Sequence, residues 1–185
     1  EIITGHEWAP GGYAWAFPKG HGYAEIGLGV ICTMTDKNAQ WFLDKFIEKS
    51  CFKERFKNSR ILEIQGGGVP LAAPLRKQYA DHLILVGDAA RHVNPITGGG
   101  IHTALSGGAI AAGYLQELLA QNKPTRTEQM AGYQEAWLEQ LGNKMWKLYD
   151  VKTDIFRERD LVRRDQKLYE TMSSYFSPES EYKKI

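Results

Sequence analysis

Residues 83–119 read LILVGDAARHVNPITGGGIHTALSGGAIAAGYLQELL. Four apolar residues, 83–86, open the stretch, and such a short apolar run closed by Gly87-Asp88 predicts a buried strand that ends abruptly. A loop carrying Asn94-Pro95 follows, and Gly98, Gly99 and Gly100 open a helix that begins at Ile101. An Asp at a strand end accepts hydrogen bonds from vicinal hydroxyl groups. Glycines at a helix start let a flat or anionic group approach backbone N–H groups at the positive end of the helix dipole. GDAA alone occurs by chance and Asp88 alone reads as a turn-capping residue. The order of strand, Gly-Asp, Asn-Pro, three glycines and small-residue helix is what carries the reading.

Working outward, the whole chain has the composition of an ordinary soluble globular protein, with 43% hydrophobic and 24% charged residues among 185. A formal net charge of +1 gives no electrostatic reason to expect nucleic acid as a partner. Cys32 and Cys51 stand alone, without a CxxC pair or matching His spacing, a pattern that suits a reducing cytoplasm and gives no support to a disulfide. No window approaches the ~20 apolar residues of a membrane-spanning helix, and Gly107, Gly108 and Gly113 interrupt the longest apolar segment. The chain opens on Glu1 rather than Met, which leads us to expect a piece of a longer protein.

Three parts are expected. Residues 1–75 read as β-rich: strands over 13–17 and 24–31 joined by a turn over 18–22, a helix capped by Thr35 or Asp36 and running to about Lys49, and a further strand over 61–64 before the loop of Gly66, Gly67, Gly68 and Pro70. Residues 76–122 hold the strand and glycine-opened helix, which Asn122-Lys123-Pro124 ends. Residues 123–185 turn helical and charged, with helices expected over 126–141 and 143–170; Met145, Leu148, Tyr149, Ile155 and Phe156 supply an apolar stripe in the second. The terminal SPESEYKKI reads as a solvated tail.

A second motif lies near the start. In Pro10-Gly-Gly-Tyr13-Ala-Trp15-Ala-Phe17-Pro18, strand geometry puts Tyr13, Trp15 and Phe17 on one face and Ala14 and Ala16 on the other. The result is a continuous aromatic wall. On periodicity alone it reads first as hydrophobic core, and as a ligand surface second.

The strand–Gly-Asp–loop–Pro–glycine-helix order resembles the second flavin-binding motif of FAD-dependent oxidoreductases and hydroxylases. With PxxYxWxFP ahead of GDAAxxVNPxTGGGI, and with EIGLGV, GGGVPLAAPLRKQYADHLILVGDAA and the run from Tyr133 to Trp137, the likeness narrows to the geranylgeranyl reductase family. It covers most of residues 10–160.

That resemblance implies an α/β flavoprotein of glutathione-reductase-like FAD fold, of which this chain is the C-terminal half. An antiparallel substrate sheet, the last strand and helix of the FAD domain and a C-terminal helical region are the implied parts. FAD contact is implied for Gly87, Asp88, Pro95, Gly98, Gly99, Gly100 and Ile101, and prenyl-chain contact for Tyr13, Trp15 and Phe17. The implied activity is FAD-dependent saturation of isoprenoid double bonds on a geranylgeranyl lipid, with an unidentified electron donor, a cytoplasmic location and peripheral contact with a membrane surface. Dipoles at the glycine run would stabilise negative charge on a reduced flavin ring.

No GxGxxG fingerprint, which holds the FAD pyrophosphate in this superfamily, occurs in the chain. The adenine half of the site is therefore expected upstream, and the 185 residues alone are expected to bind FAD weakly or not at all. Arg91-His92 departs from the small or amide residues frequent in the family at this point. His92 and His102 read as loop or surface histidines rather than as a proton donor, and no catalytic residue is assigned. Two alternatives stand beside the reductase: a flavin-dependent aromatic monooxygenase, which shares the Gly-Asp motif, and a lipid-binding module without catalysis.

Overall fold

Alternation along residues 13–17 builds the first sheet. The computed structural model describes residues 1–176, and in it the strands β1 (Ile2–Thr4), β2 (Tyr13–Gly20) and β3 (Tyr23–Gly29) form an antiparallel sheet in the order β1-β2-β3. The β2–β3 turn is tighter than the expected 18–22. It is the pair His21-Gly22, both with positive φ, which matches the right-handed twist of the flanking strands. Ala14 and Ala16 face the core and are buried. Helix α1 (Ala39–Lys49) contributes Phe42 and Phe46 to that core, and the short α2 (Lys53–Phe56) follows.

Two expectations in this region need correction. The cap of α1 is neither Thr35 nor Asp36 but Asn38, whose side chain accepts the Trp41 N–H at 2.9 Å. Thr35 instead accepts the Lys37 N–H at 3.0 Å, an earlier turn of the same loop. Residues 61–64 form no strand: Ile61, Leu62 and Ile64 are 60–65% exposed, and no neighbouring strand among the described residues accepts their backbone groups.

The buried strand expected over 83–86 is shorter and less covered than its composition suggested. Only Leu83 and Ile84 (β5, Leu83–Ile84) pair, with β4 (Tyr79–Ala80), and Leu83 is exposed. The backbone of Leu85 finds partners outside any sheet: its N–H donates to Gln78 O at 2.8 Å and its carbonyl accepts the Tyr133 hydroxyl at 3.1 Å. After a one-turn 3₁₀ segment, Gly87–Ala90, and the loop to Gly100, α3 (Ile101–Ala120) runs for 20 residues. It stops where expected, at Asn122 in the left-handed region, with the Lys123 N–H returning to Leu118 O.

Helix α4 (Thr127–Trp137) begins on the β4–β5 turn, where the Asp81 carboxylate accepts both the backbone N–H and the hydroxyl of Thr127. It passes through a π turn, Leu138–Gly142, into α5 (Asn143–Arg157). Gly142 is required there: a Cβ would sit 2.3 Å from the Trp137 ring. The single helix expected over 143–170 is two, because Asp160 caps a new one, α6 (Leu161–Phe176), by accepting the Arg163 N–H at 2.9 Å. Met145, Leu148 and Ile155 of the expected stripe are buried. Residues 177–185, read as a tail, lie outside the described residues.

The described residues divide into two compact units, one of residues 1–66 and 155–176, the other of residues 67–154. In the first, α6 is tied to the start of the chain by the Asp165 carboxylate, which accepts the His6 N–H at 2.8 Å and lies 2.5 Å from His6 Nδ1. In the second, Ala111, Tyr133, Trp137, Leu141 and Met145 make the core. Cys32 and Cys51 are exposed, free thiols. No helix among the described residues is long and apolar enough to cross a membrane.

Candidate functional site

The two groups of residues singled out in the sequence fall in different units. In the first unit, Tyr13, Trp15 and Phe17 do share a face. Ring centroids of Tyr13 and Trp15 are 5.7 Å apart, and Trp15 stacks on Phe17 at 6.2 Å and 24°. This face is not core. Tyr13 and Trp15 are half-buried and Phe17 is 37% exposed, while the alanines between them take the buried side.

The register explains the wall's shape. Opposite Tyr13, Trp15 and Phe17 on β3 stand Gly29, Gly27 and Glu25, and opposite Trp15 on β1 stands Ile2. A Cβ at Gly27 would be 2.4 Å from Trp15 Cζ2, so the indole lies directly over the glycine backbone. The indole N–H donates to Glu25 Oε1 at 3.3 Å, and Lys19 pairs with the same carboxylate at 2.9 Å. The Lys19 pairing holds Glu25 below its ordinary value, and burial raises the Tyr13 phenol. The outcome is a largely apolar ridge with the Glu25–Lys19 ion pair at one end and the Tyr13 phenol at the other.

In the second unit the Gly-Asp turn meets the start of α3. Gly87 is buried with φ +61°, a conformation that a residue with a Cβ adopts at a cost. Asp88 follows it with an exposed carboxylate that accepts no hydrogen bond from the described residues. A Cβ at Gly100 would come within 3.2 Å of Asp88 Oδ1, so the glycine keeps the space beside the carboxylate open. Gly100 is the N-cap of α3 and no side chain caps the helix, which leaves N–H groups at its first turn for a ligand or water. Ile101, the first helical residue, is 82% exposed.

Asn94 organises the loop between them. Its side-chain oxygen accepts the N–H groups of Ile96 and Thr97 at 2.9 and 3.1 Å, around the buried Pro95. Its backbone exchanges bonds with Gly99 O and the Gly98 N–H, both at 2.9 Å. Gly98 has φ +71° and Gly99 donates to Thr97 Oγ1. Gly87, Asp88, Pro95, Gly98, Gly99, Gly100 and Ile101 thus belong to one continuous loop-and-helix start.

His92 lies in the loop, one of its two expected placements, but not at the surface. It is fully buried, stacked on Trp137 at 4.8 Å and 13°, because Gly107 of α3 presents no side chain: a Cβ there would lie 2.6 Å from His92 Nδ1. Burial pushes its pKa down to about 4, so the ring is neutral at physiological pH. His102 is exposed, as expected. Gln78, Trp137 and Tyr133, which lie in runs that carry the family likeness but were given no role from the sequence, complete the bracing of this turn. Burial raises Tyr133 to about 12, and it stays protonated as a donor to Leu85 O. Among the described residues no group of three or more His, Cys, Asp or Glu side chains is placed to hold a metal ion.

Comparison with known proteins places this geometry. A family model described as the geranylgeranyl reductase catalytic domain matches residues 1–69. A digeranylgeranylglycerophospholipid reductase of Methanothrix thermoacetophila is 38% identical over 161 residues, 86% of this chain and 40% of that protein. Over most of its length the chain is similar to members of the geranylgeranyl reductase family. A digeranylgeranylglycerophospholipid reductase of Methanocaldococcus jannaschii is 40% identical over 139 residues, covering 75% of this chain and 34% of its own length. The crystal structure of a geranylgeranyl bacteriochlorophyll reductase-like protein from Thermoplasma acidophilum superposes with a TM-score of 0.74 at 28% identity, over 98% of this chain and 49% of that one.

The chain therefore spans less than half the length of these curated relatives. Within the family frame, the aromatic wall lies inside the matched catalytic-domain region and the Gly-Asp turn lies beyond it.

Proposed function

We propose that this chain is part of an FAD-dependent reductase that saturates isoprenoid double bonds of a geranylgeranyl lipid. We read it as the C-terminal half of a glutathione-reductase-like flavoprotein: substrate domain over 1–75, the closing segment of the FAD domain over 76–122 and a helical region over 123–185. The observation that carries the reading is the outward aromatic face of β2, within a region similar to a geranylgeranyl reductase catalytic domain. A strand that keeps three aromatic rings outward and buries alanines has apolar surface to offer a ligand. A polyprenyl chain gives no hydrogen-bond handle along its length, and its recognition rests on apolar area buried at ~25 cal/mol per Å².

The residues of the Gly-Asp turn fit FAD. Asp88 has an open carboxylate, Gly100 keeps the adjoining space free, and the uncapped start of α3 offers backbone donors. Asp88 would take ribityl hydroxyls, Gly87, Pro95, Gly98 and Gly99 would shape the turn that lets the flavin approach, and Gly100 and Ile101 would present N–H groups to the flavin ring. When bound and reduced, FAD supplies the hydride that alkene saturation requires. The chain's own contribution is to seat the prenyl chain along Tyr13, Trp15 and Phe17 and to exclude water there. An electron donor is needed, and a lipid substrate brings peripheral contact with a membrane surface.

The test uses the complete protein, photoreduced without oxygen and mixed with a geranylgeranyl lipid while flavin absorbance is followed. Reoxidation, with a gain of two hydrogens per saturated bond in the recovered lipid, is the expected result. Absence of reaction with the lipid, together with rapid oxygen-dependent turnover of a phenol, would replace the reductase by a monooxygenase.

A further inference from the structure

Nothing in the proposed chemistry needs an imidazole at residue 92, yet the fold buries one there completely and satisfies both of its nitrogens. Nε2 lies 2.7 Å from Gln78 Oε1. The orientation of that amide is fixed by its other end, where Gln78 Nε2 donates to Leu75 O at 3.2 Å, and the residue is anchored separately by its backbone N–H, which donates to Gln134 Oε1 at 3.1 Å. Gln78 therefore presents an acceptor, and His92 carries its proton on Nε2. Nδ1 is left as an acceptor, and it takes the Gly87 N–H at 3.3 Å.

The same two residues are joined a second time, since the His92 N–H donates to Gly87 O at 2.9 Å. Two bonds thus close the loop from Gly87 to His92, and Asp88 is the first residue inside it. The far side is pinned as well: the Thr103 hydroxyl of α3 donates to His92 O and also to Gly100 O at 3.0 Å. His92 accordingly links the residue before Asp88, through its ring, to the helix start beside the Asp88 carboxylate, through its backbone carbonyl and Thr103.

We propose that His92 is a positioning residue for the flavin site: as the Nε2–H tautomer it accepts the Gly87 N–H and so sets Asp88 against the start of α3. The proposal rests on the FAD reading given above. It differs sharply from a purely packing role, in which the ring matters only as a plate against Trp137.

Two variants separate these roles in the complete flavin-loaded protein. In His92→Asn the side-chain oxygen can still accept the Gly87 N–H, but the ring stack is lost. In His92→Phe the stack is kept and the acceptor is lost, so the buried Gly87 N–H is left without a partner. We expect His92→Phe to weaken FAD binding, measured by flavin fluorescence, by about tenfold or more, and His92→Asn to restore it to within about threefold of the unaltered protein. The unfolding midpoints should rank the other way, with Phe above Asn. An FAD affinity that follows the stability order, or a Phe variant that binds as well as the unaltered protein, overturns the positioning role while the FAD reading stands.

Failure of the unaltered complete protein to bind FAD overturns the FAD reading itself and the proposal with it. A second measurement does not depend on any variant folding: ¹⁵N shifts of the His92 ring in the unaltered protein at neutral pH. A protonated Nε2 and bare Nδ1 are expected, and the opposite tautomer overturns the proposal.

Discussion

Along β2 the fold turns three aromatic rings outward and buries the alanines between them, whereas around Gly87 it buries Trp137, Tyr133 and His92 and leaves one carboxylate, Asp88, facing out. The two regions spend their large side chains in opposite directions. In the hairpin they form the surface itself, and the scaffold beneath is made of small residues and α1. In the second unit they form the scaffold, and the surface is backbone, glycine, Asp88 and the exposed Ile101. Apolar recognition needs area, so it exposes rings. Recognition of hydroxyls and of a polar ring needs fixed donors and acceptors, so it hides its rings beneath a rigid loop.

That contrast is open to direct attack. The largest effect is expected at Trp137. Its replacement by Ala removes a fully buried ring and the plate beneath His92, and should lower stability by about 3–5 kcal/mol, where Trp15→Ala, at a half-buried position, costs about 1–2 kcal/mol. Denaturant unfolding of the complete protein compares the two. Equal losses would mean that the aromatic wall is core after all.

Next comes pH. The folded pKa of His92, about 4, lies below the ordinary 6.5, so the unfolded chain binds more protons between those values. Its contribution to stability is therefore complete above about pH 6.5 and is lost as pH falls towards 4, by up to about 3 kcal/mol. A pH series of unfolding midpoints in the unaltered protein and in His92→Phe should show the variant's dependence flattened over this window. The hairpin holds no buried histidine, and its Glu25, held below its ordinary value, should contribute only at the acid end of this window.

Two smaller effects sharpen the comparison from the other side. Gly27→Ala drives a methyl group into the Trp15 ring, which has solvent to move towards. Stability should change by no more than about 1 kcal/mol, while the Michaelis constant for a geranylgeranyl lipid rises as the wall is broken. Asp88→Asn is the least costly to the fold, within about 0.5 kcal/mol for an exposed side chain. It should nonetheless weaken FAD binding in the complete protein, as read by flavin fluorescence.

The two regions also differ in how much of them could be read from the chain. The hairpin was legible because its information is local. A period of two assigns faces, and the glycines of β3 need only a partner strand to become meaningful. Periodicity could not say whether the aromatic face was core, since that depends on which side α1 covers. The Gly-Asp turn was legible as an order of residues, from Gly87 through Ile101.

Its support was not legible, because Gln78, His92, Gly107 and Trp137 come from four separate segments and only the fold brings them together. The same limit explains the other misreadings. Residues 61–64 have strand composition but no neighbouring strand among the described residues, and the cap of α1 passed from Thr35 and Asp36 to Asn38 because side-chain caps are chosen by local backbone geometry that three adjacent polar residues satisfy equally on paper.

The role proposed for Tyr13, Trp15 and Phe17 is that of a seat for a prenyl chain, not of a misplaced piece of core. It is tested most directly by photocrosslinking the complete, flavin-loaded protein with a geranylgeranyl lipid that carries a diazirine on its chain, followed by peptide mapping. Label is expected on the peptide containing Tyr13, Trp15 and Phe17, lost on competition with unlabelled lipid. Competable label elsewhere, with that peptide clean, would contradict it.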